Sequence, residues 1–203
     1  MIRRDQREMF VEGQAIHVKP ETKSASELWE EVGGEGKIGS DDLERFSIYR
    51  FSIEYPAVCR FEFNPKTRRE KGDIVIHFPD KQKVFLSWGD LAVVTKKFQT
   101  ANEFAKHSIK AMGKSRNVSK TDKLTEKTLT VNSHEAFYNM VRFHETPMGF
   151  FGRGKGIARV TCSAHFFCPK SARYFVIYAL LTPAAPEDFD KLFLTMVESF
   201  RCH

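Results

Sequence analysis

Cysteine is scarce in this chain, with four residues in 203. Cys59, Cys162, Cys168 and Cys202 also lack the close, even spacing of a small secreted disulfide framework, which excludes a crosslinked scaffold and points to a reducing compartment. Long apolar runs are missing too. The longest uncharged stretch, beginning at Tyr174, falls well short of the roughly 20 residues a membrane helix needs. Met1 to Glu8 is charged throughout, unlike a secretory leader. These absences imply a cytoplasmic protein without a membrane span. Internal repeats and low-complexity segments are absent as well, which excludes solenoid and linker architectures.

Catalytic signatures are equally sparse. There is no Gly-x-Ser-x-Gly elbow, no His-Glu-x-x-His, and no Gly-x-Gly-x-x-Gly between a strand and a helix. Gly149-Phe-Phe-Gly-Arg-Gly154-Lys155-Gly156 comes near a phosphate loop. However, Gly156 stands where the Mg²⁺-binding hydroxyl belongs, and an alternating strand rather than a helix follows from Ile157. Ser133-His134-Glu135 is a contiguous trio, and neighbours in a strand point to opposite faces, so it is no triad by itself. His144 and Glu145 meet the same objection. The sequence therefore reads as a non-enzymatic protein with no catalytic residue and no cofactor.

The cysteines and histidines suggest no metal site either. Strand alternation places Cys162 and Cys168 on the face of Phe166, as small core residues, with His165 on the opposite face. Six residues of strand also hold the two sulfurs roughly 20 Å apart. Cys202-His203 offers two ligand types but has no partner pair at suitable spacing in the sequence.

What the chain has in quantity is phenylalanine, 19 residues of it, and a localised positive charge. Lys96 to Lys127 holds nine Lys/Arg against three acidic residues, and the remainder balances, so the net charge of +6 resides in this segment. Residues 1–45 read as an N-terminal extension and linker, with Ser24-Ala-Ser-Glu27 capping a short helix through Val32. From 46 to 203 the pattern is that of one α+β domain.

Period-two alternation predicts strands at Tyr49 to Tyr55, Cys59 to Phe63, Ile74 to Phe78 and Val84 to Trp88, joined by short turns that favour an antiparallel sheet. Thr100-Ala-Asn-Glu103 caps a helix with Ala101, Phe104, Ala105, Ile109 and Met112 on its apolar face and Gly113 as its stop. Further strands follow at Phe137 to Phe143, Ile157 to Phe167 and Tyr174 to Leu181. A closing helix carries Phe189, Leu192, Phe193, Met196, Val197 and Phe200 at helical spacing.

Phe51-Ser-Ile53-Glu-Tyr55-Pro56, the helix after Phe98, the long final strands and the closing Ser199-Phe200 together resemble the PsbP-like superfamily. That group includes the extrinsic P subunit of photosystem II and a Ran-GTPase nucleotide-release factor. The resemblance covers roughly residues 46 to 201, judged by element order. It implies an α/β/α sandwich around an antiparallel sheet and a role as a non-enzymatic binding protein.

Two surfaces qualify for that role. Met148, Phe150 and Phe151 lie in a glycine-rich connection flanked by Arg153 and Lys155, a loop suited to contacting another protein. Lys106, Lys110 and Lys114 fall at i, i+4 and i+8 along the helix and, with Arg116, form a basic stripe opposite its apolar face. The first surface implies protein–protein interaction. The second supports the alternative, a nucleic-acid or anion-binding module built on residues 96–127.

Overall fold

The period-two segments are strands: Phe51 to Ile53, Ile74 to Ile76 and Val84 to Trp88 alternate buried with more exposed side chains, whereas 136–139 and 161–166 are buried throughout because the sheet is covered on both sides there. The computed structural model describes residues 43–114, 118–145, 156–181 and 189–203 in full, and the backbone alone at 9–11, 14–16, 148–149 and 152–153. The helix expected between Ser24 and Val32 lies outside these residues.

In chain order, β1 (Met9–Val11) pairs with β2 (Gln14–Ile16), and β3 (Leu43–Ile48) pairs with β4 (Phe51–Pro56). β5 (Arg60–Phe63), β6 (Gly72–His77) and β7 (Lys83–Asp90) follow, then α1 (Leu91–Thr95) and α2 (Ala101–Gly113). β8 (Val118–Val131) and β9 (His134–Glu145) precede the short pair β10 (Met148–Gly149) and β11 (Gly152–Arg153). β12 (Ile157–Cys168), β13 (Arg173–Leu181) and α3 (Phe189–Ser199) complete the order. Seven strands form one sheet in the order β5-β6-β7-β13-β12-β9-β8, with every pairing antiparallel.

One face of the sheet carries Ile74, Leu86, Trp88, Phe166, Phe175 and Ile177. It meets Phe51 and Ile53 of the β3–β4 hairpin and Phe193, Met196 and Val197 of α3. Phe51, Phe166, Phe175 and Phe200 form a ring cluster at its centre, with centroids 4.9–5.6 Å apart. Trp88 is 2 % exposed, and its indole Nε1 donates to the carbonyls of Arg68 and Arg69 at 3.1 and 3.2 Å, satisfying its one donor.

Helix α2 packs against β9, β12 and β8 from the other side, burying Ala101, Ala105 and Ile109. Met112, expected on that face, is 37 % exposed, because it sits in the last turn. Half of the expected capping box forms at the N-cap Thr100, and the Glu103 side chain reaches back one residue further, to Gln99. Thr100 Oγ1 accepts from the Glu103 amide at 3.1 Å, while the Glu103 carboxylate accepts from the Gln99 amide at 2.7 Å. Thr100→Ala should cost about 1 kcal/mol in denaturant unfolding, with no change in the slope of the transition.

Three elements escape the sequence pattern. β8 is a 14-residue edge strand, Val-Ser-Lys-Thr-Asp-Lys-Leu-Thr-Glu-Lys-Thr-Leu-Thr-Val, of which Val131 alone is buried. Its polarity reflects an edge exposed to water, where lysines also discourage pairing with another chain. The five-residue α1 is too short for periodicity to reveal, and β3, though as long as β4, buries its side chains without regular alternation. No described helix is long and apolar enough to cross a membrane.

Candidate functional site

The C-terminal half of α2 lies beside the β8 edge, and the two enclose an open cleft of about 450 Å³ lined by Lys106, Ile109, Lys110, Gly113, Lys114, Thr121, Lys123 and Glu126. A Cβ added at Gly113 would stand 3.0 Å from Thr121 Oγ1, so a glycine there lets the helix end approach the strand closely. The lysine stripe lines this cleft and so lies beside β8, with Lys106 Nζ 5.9 Å from the centre of the Phe137 ring of β9.

Within the cleft Lys123 pairs with Glu126 at 2.8 Å. Outside its lining, Lys120 pairs with Asp122 at 2.9 Å. Asp122 also accepts from His144 at 2.7 Å, and Lys120, then His144, hold its carboxyl below the usual carboxylate range. Lys106, Lys110 and Lys114 are exposed and form no ion pair with any described residue. Arg116, the fourth member of the stripe, lies outside the described residues.

The second expected surface is placed only in part. Met148 and Arg153 pair through the backbone of the β10–β11 hairpin. Their side chains, together with Phe150, Phe151 and Lys155, lie outside the described residues.

A third grouping was invisible to spacing along the chain. Type I′-like positive φ values at Asn132 (48°) and Ser133 (66°) close the β8–β9 turn and start β9 at His134. Because β9 runs antiparallel to β12, that turn lies beside the end of β12, where Cys168 precedes the turn into β13. The chain end reaches the same place. Arg201 exchanges two backbone hydrogen bonds with Ser52 of β4, each 2.8 Å, and thereby brings buried Cys202 and exposed His203 to the sheet end.

The sulfurs of Cys168 and Cys202 stand 2.9 Å apart, and His203 Nδ1 is 3.5 and 3.3 Å from them. The His134 and His203 rings meet edge-on at 5.4 Å. Both cysteines are fully buried, and His134 Nε2 is buried without a hydrogen-bond partner. Burial, then the neighbouring Cys168 thiol, pushes the Cys202 thiol up. Burial also lowers His134. Cys162 lies in the core with its thiol pushed up to about 11 by burial, and Cys59 is half-buried against the same core.

No protein-family model matches this sequence, and no curated protein does. Comparison of the structure with solved ones is informative. Cyanobacterial PsbP (CyanoP) from Synechocystis sp. PCC 6803 superposes with a TM-score of 0.58 at 12% identity, over 84% of this chain and 100% of that one. The protein has the PsbP-like fold. The Ran-binding protein Mog1p from Saccharomyces cerevisiae matches with a TM-score of 0.51 at 14% identity, over 79% of this chain and 95% of the other. At such identities the likeness concerns the path of the backbone, and neither neighbour assigns a site to this PsbP-like chain.

Proposed function

We propose that this PsbP-like protein acts by binding rather than catalysis, docking an acidic surface of a partner protein on the basic face formed by α2 and β8. The observation that carries this reading is the set of three exposed lysines, Lys106, Lys110 and Lys114, without described counter-charges beside an open cleft. In this reading the layers form an α/β/α sandwich, with α2 and α3 on opposite sides of the sheet and the α2 side presented to the partner.

A protein partner is favoured over a polyphosphate one by the charge pattern. Glu126 lies among the lysines of the cleft and would repel a phosphate backbone, whereas a protein surface can meet it with a basic residue at its rim. That one protein of this fold, Mog1p, is Ran-binding shows that the scaffold is used for protein contacts elsewhere. Cytoplasmic localisation belongs to the same reading.

Affinity capture of the tagged protein from its native lysate, with and without nuclease, tests it. A partner that survives nuclease should be recovered at least about ten-fold less with Lys106→Glu/Lys110→Glu/Lys114→Glu, since each reversal replaces an attraction by a repulsion. Recovery that vanishes with nuclease and falls steeply with salt would instead assign the face to a nucleic acid. Unchanged recovery with the triple variant would move the contact off this face.

A further inference from the structure

We propose that Cys168, Cys202, His203 and His134 form a tetrahedral site for a zinc-class divalent cation that ties the chain end to the end of the sheet. Their ligand atoms all lie within 4.8 Å of one another. Two sulfurs and two imidazoles are the donor set that selects zinc among common cellular cations, and four protein ligands leave no open position for a substrate. The site is therefore structural.

The geometry is close to that required. Ideal tetrahedral coordination, with Zn–S of about 2.3 Å and Zn–N of about 2.0 Å, separates two sulfurs by about 3.8 Å and sulfur from nitrogen by about 3.5 Å. The two S···N distances, 3.5 and 3.3 Å, already meet this. The sulfurs, at 2.9 Å, need only spread by rather less than an ångström. Two thiolates balance the charge of the cation in a place where both are shielded from water.

Two further observations point to a ligand. His134 Nε2 is buried without a partner, a cost the fold carries unless something accepts from or binds to that nitrogen. Asn132 Nδ2 lies 3.2 Å from Cys202 Sγ, placed to donate an outer-sphere N–H···S bond of the kind that steadies a metal thiolate. The four residues come from the start of β9, the end of β12 and the chain terminus, so a cation there ties the terminus, held otherwise by the Ser52–Arg201 bridge and core packing, to two strands already paired in the sheet.

The reduced full-length protein is titrated with Co²⁺ and then Zn²⁺. One equivalent of cobalt should produce a thiolate charge-transfer band with strong visible absorption from a tetrahedral site, and zinc should displace it while raising Tm. Cys168→Ser and Cys202→Ser should abolish the charge-transfer intensity or weaken binding by more than the roughly 10–100-fold typical of losing an outer partner. His203→Ala, at an exposed chain end, should weaken binding without unfolding the protein, and His134→Ala should do likewise. Cys59→Ala and Cys162→Ala should leave the affinity unchanged. Folded, reduced protein that gives no charge-transfer band would overturn the site, as would full affinity in Cys168→Ser. A Cys168–Cys202 disulfide in protein isolated from a reducing cytosol would overturn it too.

Discussion

Phe200→Ala is expected to destabilise the protein by about 3–5 kcal/mol, the range for emptying a fully buried phenylalanine site. Phe200 is the last apolar residue of the closing pattern and is fully buried. Its ring lies 5.6 Å from Phe51, 5.2 Å from Phe166 and 4.9 Å from Phe175, so one side chain joins the β3–β4 hairpin to the two central strands of the sheet. Each such ring pair contributes about 0.5–1.5 kcal/mol beyond area burial, and the loss cannot be relieved by collapse because the neighbours are held in strands. For a chain of this size the cost corresponds to a fall in Tm of about 10 °C, measurable by circular dichroism. Phe200→Leu, which keeps most of the volume, should recover more than half of the loss. A cost below about 1 kcal/mol for the alanine variant would show that the cluster is not the structural centre proposed here.

The second large effect is on acid stability. His165 projects from β12 beneath α2, beside Phe137 and Val176 in the flanking strands and edge-on to Phe104 at 5.4 Å. It is 2 % exposed, and its Nδ1 has no hydrogen-bond partner. Burial alone lowers its pKa from 6.5 to about 4.

The unfolded chain therefore takes up a proton at a pH where the folded chain does not. Above pH 6.5 both forms are neutral and the group has no influence. Stability falls as pH drops from about 6.5, and the full loss, about 3 kcal/mol, is reached near pH 4. His165→Leu should remove this dependence, which urea unfolding at a series of pH values would reveal as a widening gain over the wild type on acidification. At neutral pH the variant should be no less stable, because an orphaned buried nitrogen is removed. Parallel pH profiles for the two proteins would mean that His165 is protonated in the folded state.

Most of the fold could be read from the sequence because most of it is amphipathic at short range. Phe51, Ile53, Ile74 and Ile76 each alternate with more exposed neighbours, and the period of two persists there in the structure. Helix α3 displays Phe189, Phe193, Met196 and Val197 at helical spacing and buries all four. β8 resisted the same reading because an edge strand bathed in water has little apolar pattern to show. The lysine stripe was legible as a spacing on one helix. Its position beside β8 was not, since that depends on how α2 packs on the sheet.

The sequence by itself determined most of the strands and the two longer helices, their order along the PsbP-like fold, and the concentration of positive charge near α2. These are properties of a few consecutive residues. Only the tertiary structure decided that Lys106, Lys110 and Lys114 share a cleft with Lys123 and Glu126, and that His134, Cys168, Cys202 and His203 meet. The physical reason lies in antiparallel pairing. It folds the β8–β9 and β12–β13 turns onto the same end of the sheet, and the Ser52–Arg201 hydrogen bonds bring the chain terminus to that end. The encounter joins residues whose separation along the chain carries no trace of it.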